Sequence, residues 1–105
     1  MPDFSKMLEQ AQAMQMRLQQ MQDDLQRQTV SAASGDGMVS VDADGKGQVT
    51  RIRIDRAVVN PDDIAMLEDL ILVAVNDAQN KAADLAKIEM AKATGGLDLP
   101  FKLPF

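Results

Sequence analysis

Between residues 4 and 25 the apolar side chains recur at alternating spacings of three and four: Phe4, Met7, Ala11, Met14, Leu18, Met21 and Leu25. A repeat of this kind specifies a helix with one narrow apolar seam. The segment has no Pro or Gly between Asp3 and Gln28 and consists mainly of good helix formers. It predicts an unbroken helix over roughly Asp3 to Gln28, about 40 Å long. The seam suits either the core of a single subunit or a second long helix, including one from another copy of the chain. The period lies closer to 3.5 than to 3.6 residues, which favours the helix partner. On that reading Met7, Met14, Leu18, Met21 and Leu25 are the candidate dimer contacts. Composition points the same way. Three Phe, no Trp and no Tyr make a thin core for a chain of 105 residues, and the eight Met are adaptable packing side chains.

The texture changes at Thr29. Val30 opens a short strand that breaks at Ser34-Gly35-Asp36-Gly37. Met38 to Ala43 alternates Val39, Val41 and Ala43 against Met38, Ser40 and Asp42, the pattern of a half-buried strand. Asp44-Gly45, extended by Lys46-Gly47, is a hairpin turn signal. Gln48 to Ile54 is the third strand, with Thr50, Ile52 and Ile54 on its apolar face and Val49, Arg51 and Arg53 on the other. Asn60-Pro61-Asp62-Asp63 marks a helix start, with Asn60 as cap and Pro61 as first residue. That second helix is expected to run to about Ala93. Ile64, Leu67, Ile71, Ala74, Ala78, Ala82 and Leu85 form its inner face, and Leu70, Val73 and Val75 suggest a first half buried all round. Beyond Ala78 the apolar face narrows, which suggests a projecting end. Gly95-Gly96 stops the helix. The fold class is therefore α+β: long helix, three-stranded antiparallel sheet, long helix. Residues 1–96 are expected to form one domain, and LDLPFKLPF, residues 97–105, a mobile tail.

The residue inventory excludes much chemistry. The absence of Cys and His removes disulfides, thiolate or imidazole metal sites and the commonest general base. Ser40, Asp42, Asp44 and Gly45 have the opening spacing of a calcium loop, but Arg51 stands where its bidentate Glu belongs. Gly35-x-Gly37 and Gly45-x-Gly47 lie between strands rather than before a helix, so they read as turns and not phosphate loops. The carboxylates Asp62, Asp63, Glu68 and Asp69 read as compensation of a helix dipole. No nucleophile stands beside a base. The expectation is a non-enzymatic protein with no cofactor, no metal and no small-molecule substrate. The longest apolar run, Leu70 to Val75, is far too short for a membrane span. The opening MPDFSKMLEQ lacks a basic stretch followed by an apolar one, so a cytoplasmic location is expected.

Net charge is −5, but it is unevenly spread. Between residues 61 and 94 seven acids face only Lys81, Lys87 and Lys92, whereas residues 29–60 are balanced. Local basic surface is therefore available in the first two segments. On the first helix Lys6, Arg17 and Arg27, with Gln10 and Gln20, form one stripe interrupted only by Asp24. Arg51, Arg53 and Arg56 form a second group, offset by Asp55. Both are candidates for holding phosphates, and both also fit an ordinary solvated surface. No aromatic residue accompanies them, which argues against base stacking.

The segments LEQAQAMQMRLQQMQDDL, GMVSVDADGKGQVTRIRID, MLEDLILVAVNDA and LPFKLPF, in that order, resemble the YbaB/EbfC nucleoid-associated proteins. The most specific pieces are Met66-Leu67-Glu68-Asp69-Leu70 with Asn76-Asp77-Ala78, and the hairpin followed by Arg53-Ile54-Asp55. The resemblance implies a homodimer whose long helices project like tweezers. It also implies binding of duplex DNA in the nucleoid, with an effect on nucleoid organisation or gene expression. The alternative is a protein-interaction module whose Met-rich seam docks a partner helix.

Overall fold

The computed structural model describes residues 3–93. The expected Gly95-Gly96 helix stop and the tail from residue 97 lie outside them. Helix α1 spans Phe4–Arg27 and is capped by Asp3, whose carboxylate accepts the Ser5 amide at 3.2 Å. It ends at Gln28, where the backbone turns extended and leads directly into the β-branched pair Thr29-Val30. Strands β1 (Thr29–Ser34), β2 (Val39–Asp44) and β3 (Val49–Ile54) form an antiparallel meander in the order β1-β2-β3. A short 3-10 turn over Arg56–Val58 leads to helix α2, Ile64–Ala93. The α+β class and the element order are those expected from the sequence.

Each hairpin has a local cause. At the β1–β2 turn Gly35, Asp36 and Gly37 all have positive φ, at 59°, 56° and 87°. Glycine adopts that conformation freely, and Asp tolerates it better than most residues. At the β2–β3 turn the buried carboxylate of Asp44 accepts the amides of Lys46 at 2.9 Å and Gln48 at 3.0 Å. The apparent calcium-loop residue thus serves the turn itself. The next residue, Gly45, donates its amide to the Leu25 carbonyl of α1 at 2.8 Å. A β-carbon there would stand 2.5 Å from that same oxygen. Glycine is what lets the end of α1 lie on this turn.

Three details differ from the sequence reading. First, Asn60 does not cap α2. Its side chain accepts the Asp62 amide and its carbonyl the Asp63 amide, closing a turn around Pro61. The cap is Asp63, whose carboxylate accepts from Met66 at 3.2 Å, so α2 begins at Ile64. Second, Val49 does not face away from Ile52 and Ile54. A bulge between Asp42 and Ala43 leaves Thr50 out of the one-to-one pairing, and Val49 pairs with Ala43 as Ile52 pairs with Val41. Third, the first half of α2 is not buried all round. A three-stranded sheet covers only one side of a helix, and Leu72 and Val73 remain 57% and 49% exposed.

The core lies between α2 and the inner face of the sheet: Ala32, Val39, Val41 and Ala43 against Ala74 and Ala78, closed at one end by Val58. The small alanines let α2 approach closely. It lies over β1 and β2 and barely reaches β3. Lys81 marks the β1 side, its ammonium donating to the Ser31 carbonyl at 2.8 Å. Gln79 marks the β3 side, its amide donating to the Gly47 carbonyl at 3.0 Å. The molecule is long, 74 × 24 × 17 Å, with a radius of gyration of 19.5 Å against about 13 Å for a compact chain of this size. The extra length comes from the helices projecting past the sheet.

Candidate nucleic-acid interface

The projecting part is built by α1 and the end of α2, which run antiparallel. Met21 and Leu25 share an apolar recess with Gln79, Ala83 and Ala86, and Arg17 and Gln20 share the next cleft with Glu89, Lys92 and Ala93. Moving back along α1 therefore means moving forward along α2. The proposed seam is divided by this packing. Met21 and Leu25 are buried inside the subunit, Met14 and Leu18 are half-buried, and Met7 is 57% exposed.

The stripe flanking the seam faces water. Lys6, Gln10, Arg17, Gln20 and Arg27 are all exposed. Helical geometry places them within an arc of about 100° and spreads Lys6 to Arg27 over about 32 Å. Among the described residues Lys6 and Arg17 form no ion pair, and Arg27 makes only an exposed contact to Asp24 at 4.0 Å. Such a contact holds an arginine weakly and leaves its guanidinium available. The cleft of about 330 Å³ beside Arg17 also brings Lys92 close to the stripe. Sequence reasoning missed Lys92, because only the antiparallel register of the two helices places it there. Lys92 also contacts Glu89 at 3.5 Å.

The second basic group is not brought together in the same way. Arg53 lies on the sheet face away from α2, where its guanidinium donates to the Ser40 hydroxyl at 3.2 Å and lies 3.7 Å from Asp42. Asp42 also accepts from the Ser31 hydroxyl at 2.8 Å. Arg53 is thus held in a polar ladder across all three strands. Arg51 pairs in register with Asp42, and Arg56 sits beyond the strand in the 3-10 turn. The acids that offset this group are its direct neighbours; on α1 Asp24 lies within the stripe, Glu9 at its edge and Asp23 off it.

Two long helices packed side by side past a small sheet, with cations along one exposed flank of the first, define a class of small α+β protein suited to an extended anionic partner. The chain belongs to the YbaB/EbfC DNA-binding family, whose model matches residues 1–97. It is 57% identical to a nucleoid-associated protein of Gemmatimonas aurantiaca, over 98% of this chain and 99% of that one. It is 50% identical to a nucleoid-associated protein of Thermodesulfovibrio yellowstonii, over 96% and 85% of the two chains. The crystal structure of an uncharacterized protein from Helicobacter pylori shares the fold, with a TM-score of 0.80 at 23% identity, covering 90% of this chain and all of that one. Among the described residues no helix is long and apolar enough to cross a membrane.

Proposed function

We infer that this protein is a nucleoid-associated DNA-binding protein that holds duplex DNA through the exposed basic flank of α1. The observation that carries the reading is the exposed stripe of Lys6, Arg17 and Arg27 on a projecting helix, in a chain of a DNA-binding family. Cations spaced along about 32 Å of helix match the length of one duplex turn and meet phosphates rather than bases. Gln10 and Gln20 add neutral donors along the same face. The contact is therefore electrostatic and only weakly selective for sequence.

The working unit of this reading is a homodimer. Val49, Ile52 and Ile54 lie on the helix side of β3 but are not covered by α2, with Ile52 45% exposed. The flank of α2 marked by Gln79 adds Ile64 and Leu72, which are also exposed. An apolar surface of this kind beside an unpaired strand edge suits a second copy of the same chain. Two copies place six stripe cations on one DNA.

A gel shift with random duplex at several salt concentrations tests the DNA reading. Six phosphate contacts predict a slope of log K against log salt of about −5. Changing Lys6, Arg17 and Arg27 together to Gln is expected to weaken binding equally across sequences and to flatten that slope. The same change at Arg51, Arg53 and Arg56 is expected to leave most of the binding. If the sheet set abolishes binding and the helix set does not, the sheet is the contact surface. If neither does, the interaction-module reading gains.

A further inference from the structure

The apolar seam of α1 continues past the point where α2 stops covering it. Ala93, the last described residue of α2, borders the cleft beside Arg17 and Gln20. N-terminal to that level Met14 is half-buried and Ala11, Met7 and Phe4 are exposed, Phe4 at 72%. Leu8, beside the seam, is also exposed. Among the described residues nothing covers this row. Because the two helices are antiparallel, the end of α2 at Ala93 points toward the N-terminus of α1.

The residues that leave Ala93 have a matching pattern. After Thr94-Gly95-Gly96, every second position is a large apolar residue: Leu97, Leu99, Phe101, Leu103 and Phe105. Between them stand Asp98, Pro100, Lys102 and Pro104. In an extended chain alternate side chains fall on one side, and Pro suits extended backbone at an unpaired position. Leu97 to Phe105 reaches about 26 Å when extended. The open part of α1, from Arg17 back to Phe4, is about 20 Å long. The glycine pair supplies the freedom to redirect the chain onto that helix.

We propose that the open part of the α1 seam, Phe4, Met7, Ala11 and Met14, is the docking groove for the chain's own C-terminal segment, Leu97–Phe105. The segment braces the projecting helix on its apolar side. The stripe of Lys6, Gln10 and Arg17 is centred about 100° around α1 from this row, so the docked segment runs beside it and leaves the cations exposed. In this arrangement the tail continues the work of α2 along the rest of the seam.

The absence of native Cys makes a direct test possible in the full-length chain. A Met7→Cys, Phe101→Cys variant is expected to form a disulfide within one chain under mild oxidation. A Ser5→Cys, Phe101→Cys variant, with its thiol on the far face of α1, is the control and is expected to cross-link at least tenfold more slowly. Independently, Phe101→Ser with Leu103→Ser is expected to speed amide exchange over residues 8–14 at least tenfold and to leave β2 unchanged. Equal cross-linking in the two cysteine variants, or exchange unaltered by the serine changes, overturns the proposal. A disulfide between two chains overturns it in favour of the tail of a second copy. Neither measurement involves DNA, so the outcome is separate from that of the binding reading.

Discussion

The sheet end and the projecting end of this molecule are made from the same two helices but held by different means. At the sheet end α1 is fixed by a backbone bond from Gly45 to Leu25, by the burial of Leu25 and Met21, and by a turn organised by Asp44. At the projecting end α1 meets α2 along a cleft walled by Arg17, Gln20, Glu89 and Lys92, and beyond it Phe4 and Met7 face water. One end is specified by close approach and satisfied backbone groups, the other by the seam and its charge pattern. A substitution at the sheet end is therefore expected to act on stability or assembly, and one on the basic flank of the projecting helix on binding.

The largest expected effect belongs to the sheet end. Ile52→Asp places a carboxylate on the apolar strip that a second copy is proposed to cover. Burying it unpaired in a dimer costs about 3–5 kcal/mol, whereas in a monomer the exposed position tolerates it. Sedimentation of the unmodified protein is expected to show a dimer at micromolar concentration, and of the variant a folded monomer. A stable monomer for the unmodified protein would remove the dimer and the surface assigned to it.

Gly45→Ala comes next. Its β-carbon meets the Leu25 carbonyl at 2.5 Å, and both are backbone groups with no side-chain rotation to relieve them. The end of α1 must lift from the turn, lengthening a 2.8 Å hydrogen bond and exposing Leu25. Overpacking of this kind costs about 1–3 kcal/mol. For a domain of this size that lowers the melting temperature by several degrees, about 4–8 °C per kcal/mol. A melting temperature equal to that of the unmodified protein would show that the contact between Gly45 and α1 carries little.

The contrast between the two ends also marks how far the sequence could be read. Helix α1, the strands and the turns were legible because their signals are local: a heptad, an alternation, a glycine between apolar runs. The cap of α2 was not, since Asn60, Asp62 and Asp63 are all competent caps and only the turn around Pro61 selects the last. The bulge at Thr50 has no glycine to announce it, so Val49 was placed on the wrong face. The heptad showed that the seam of α1 packs on something, but a period does not name the partner. Within the subunit the partner of Met21 and Leu25 proved to be the chain's own α2 and the β2–β3 turn. Among the site residues, the exposure of Lys6, Arg17 and Arg27 followed from their helical positions. The engagement of Arg53 by Ser40 and Asp42, and the approach of Lys92 to Arg17, depend on strand and helix registers that no single segment encodes.

The smallest change in stability, and the sharpest division between the ends, comes from a pair of single arginine substitutions. Arg53→Gln removes a hydrogen bond to Ser40 and a 3.7 Å ion pair to Asp42, both on a solvent-facing ladder. Exposed pairs of this kind contribute about 0.2–1 kcal/mol, so a small drop in melting temperature is expected. Arg17→Gln removes a side chain that forms no ion pair among the described residues, and its stability effect is expected within about 0.5 kcal/mol of zero. DNA binding is expected to reverse the order. Loss of Arg17 removes one phosphate contact per subunit, two in a dimer, and lowers the salt slope by about 1.8. Loss of Arg53 leaves the slope in place, because its guanidinium is already committed to the sheet. Thermal melts and a salt titration on the same two proteins decide the matter. If Arg53→Gln flattens the slope as much as Arg17→Gln does, the ladder releases its arginine to DNA, and the division between a structural sheet and a binding helix fails.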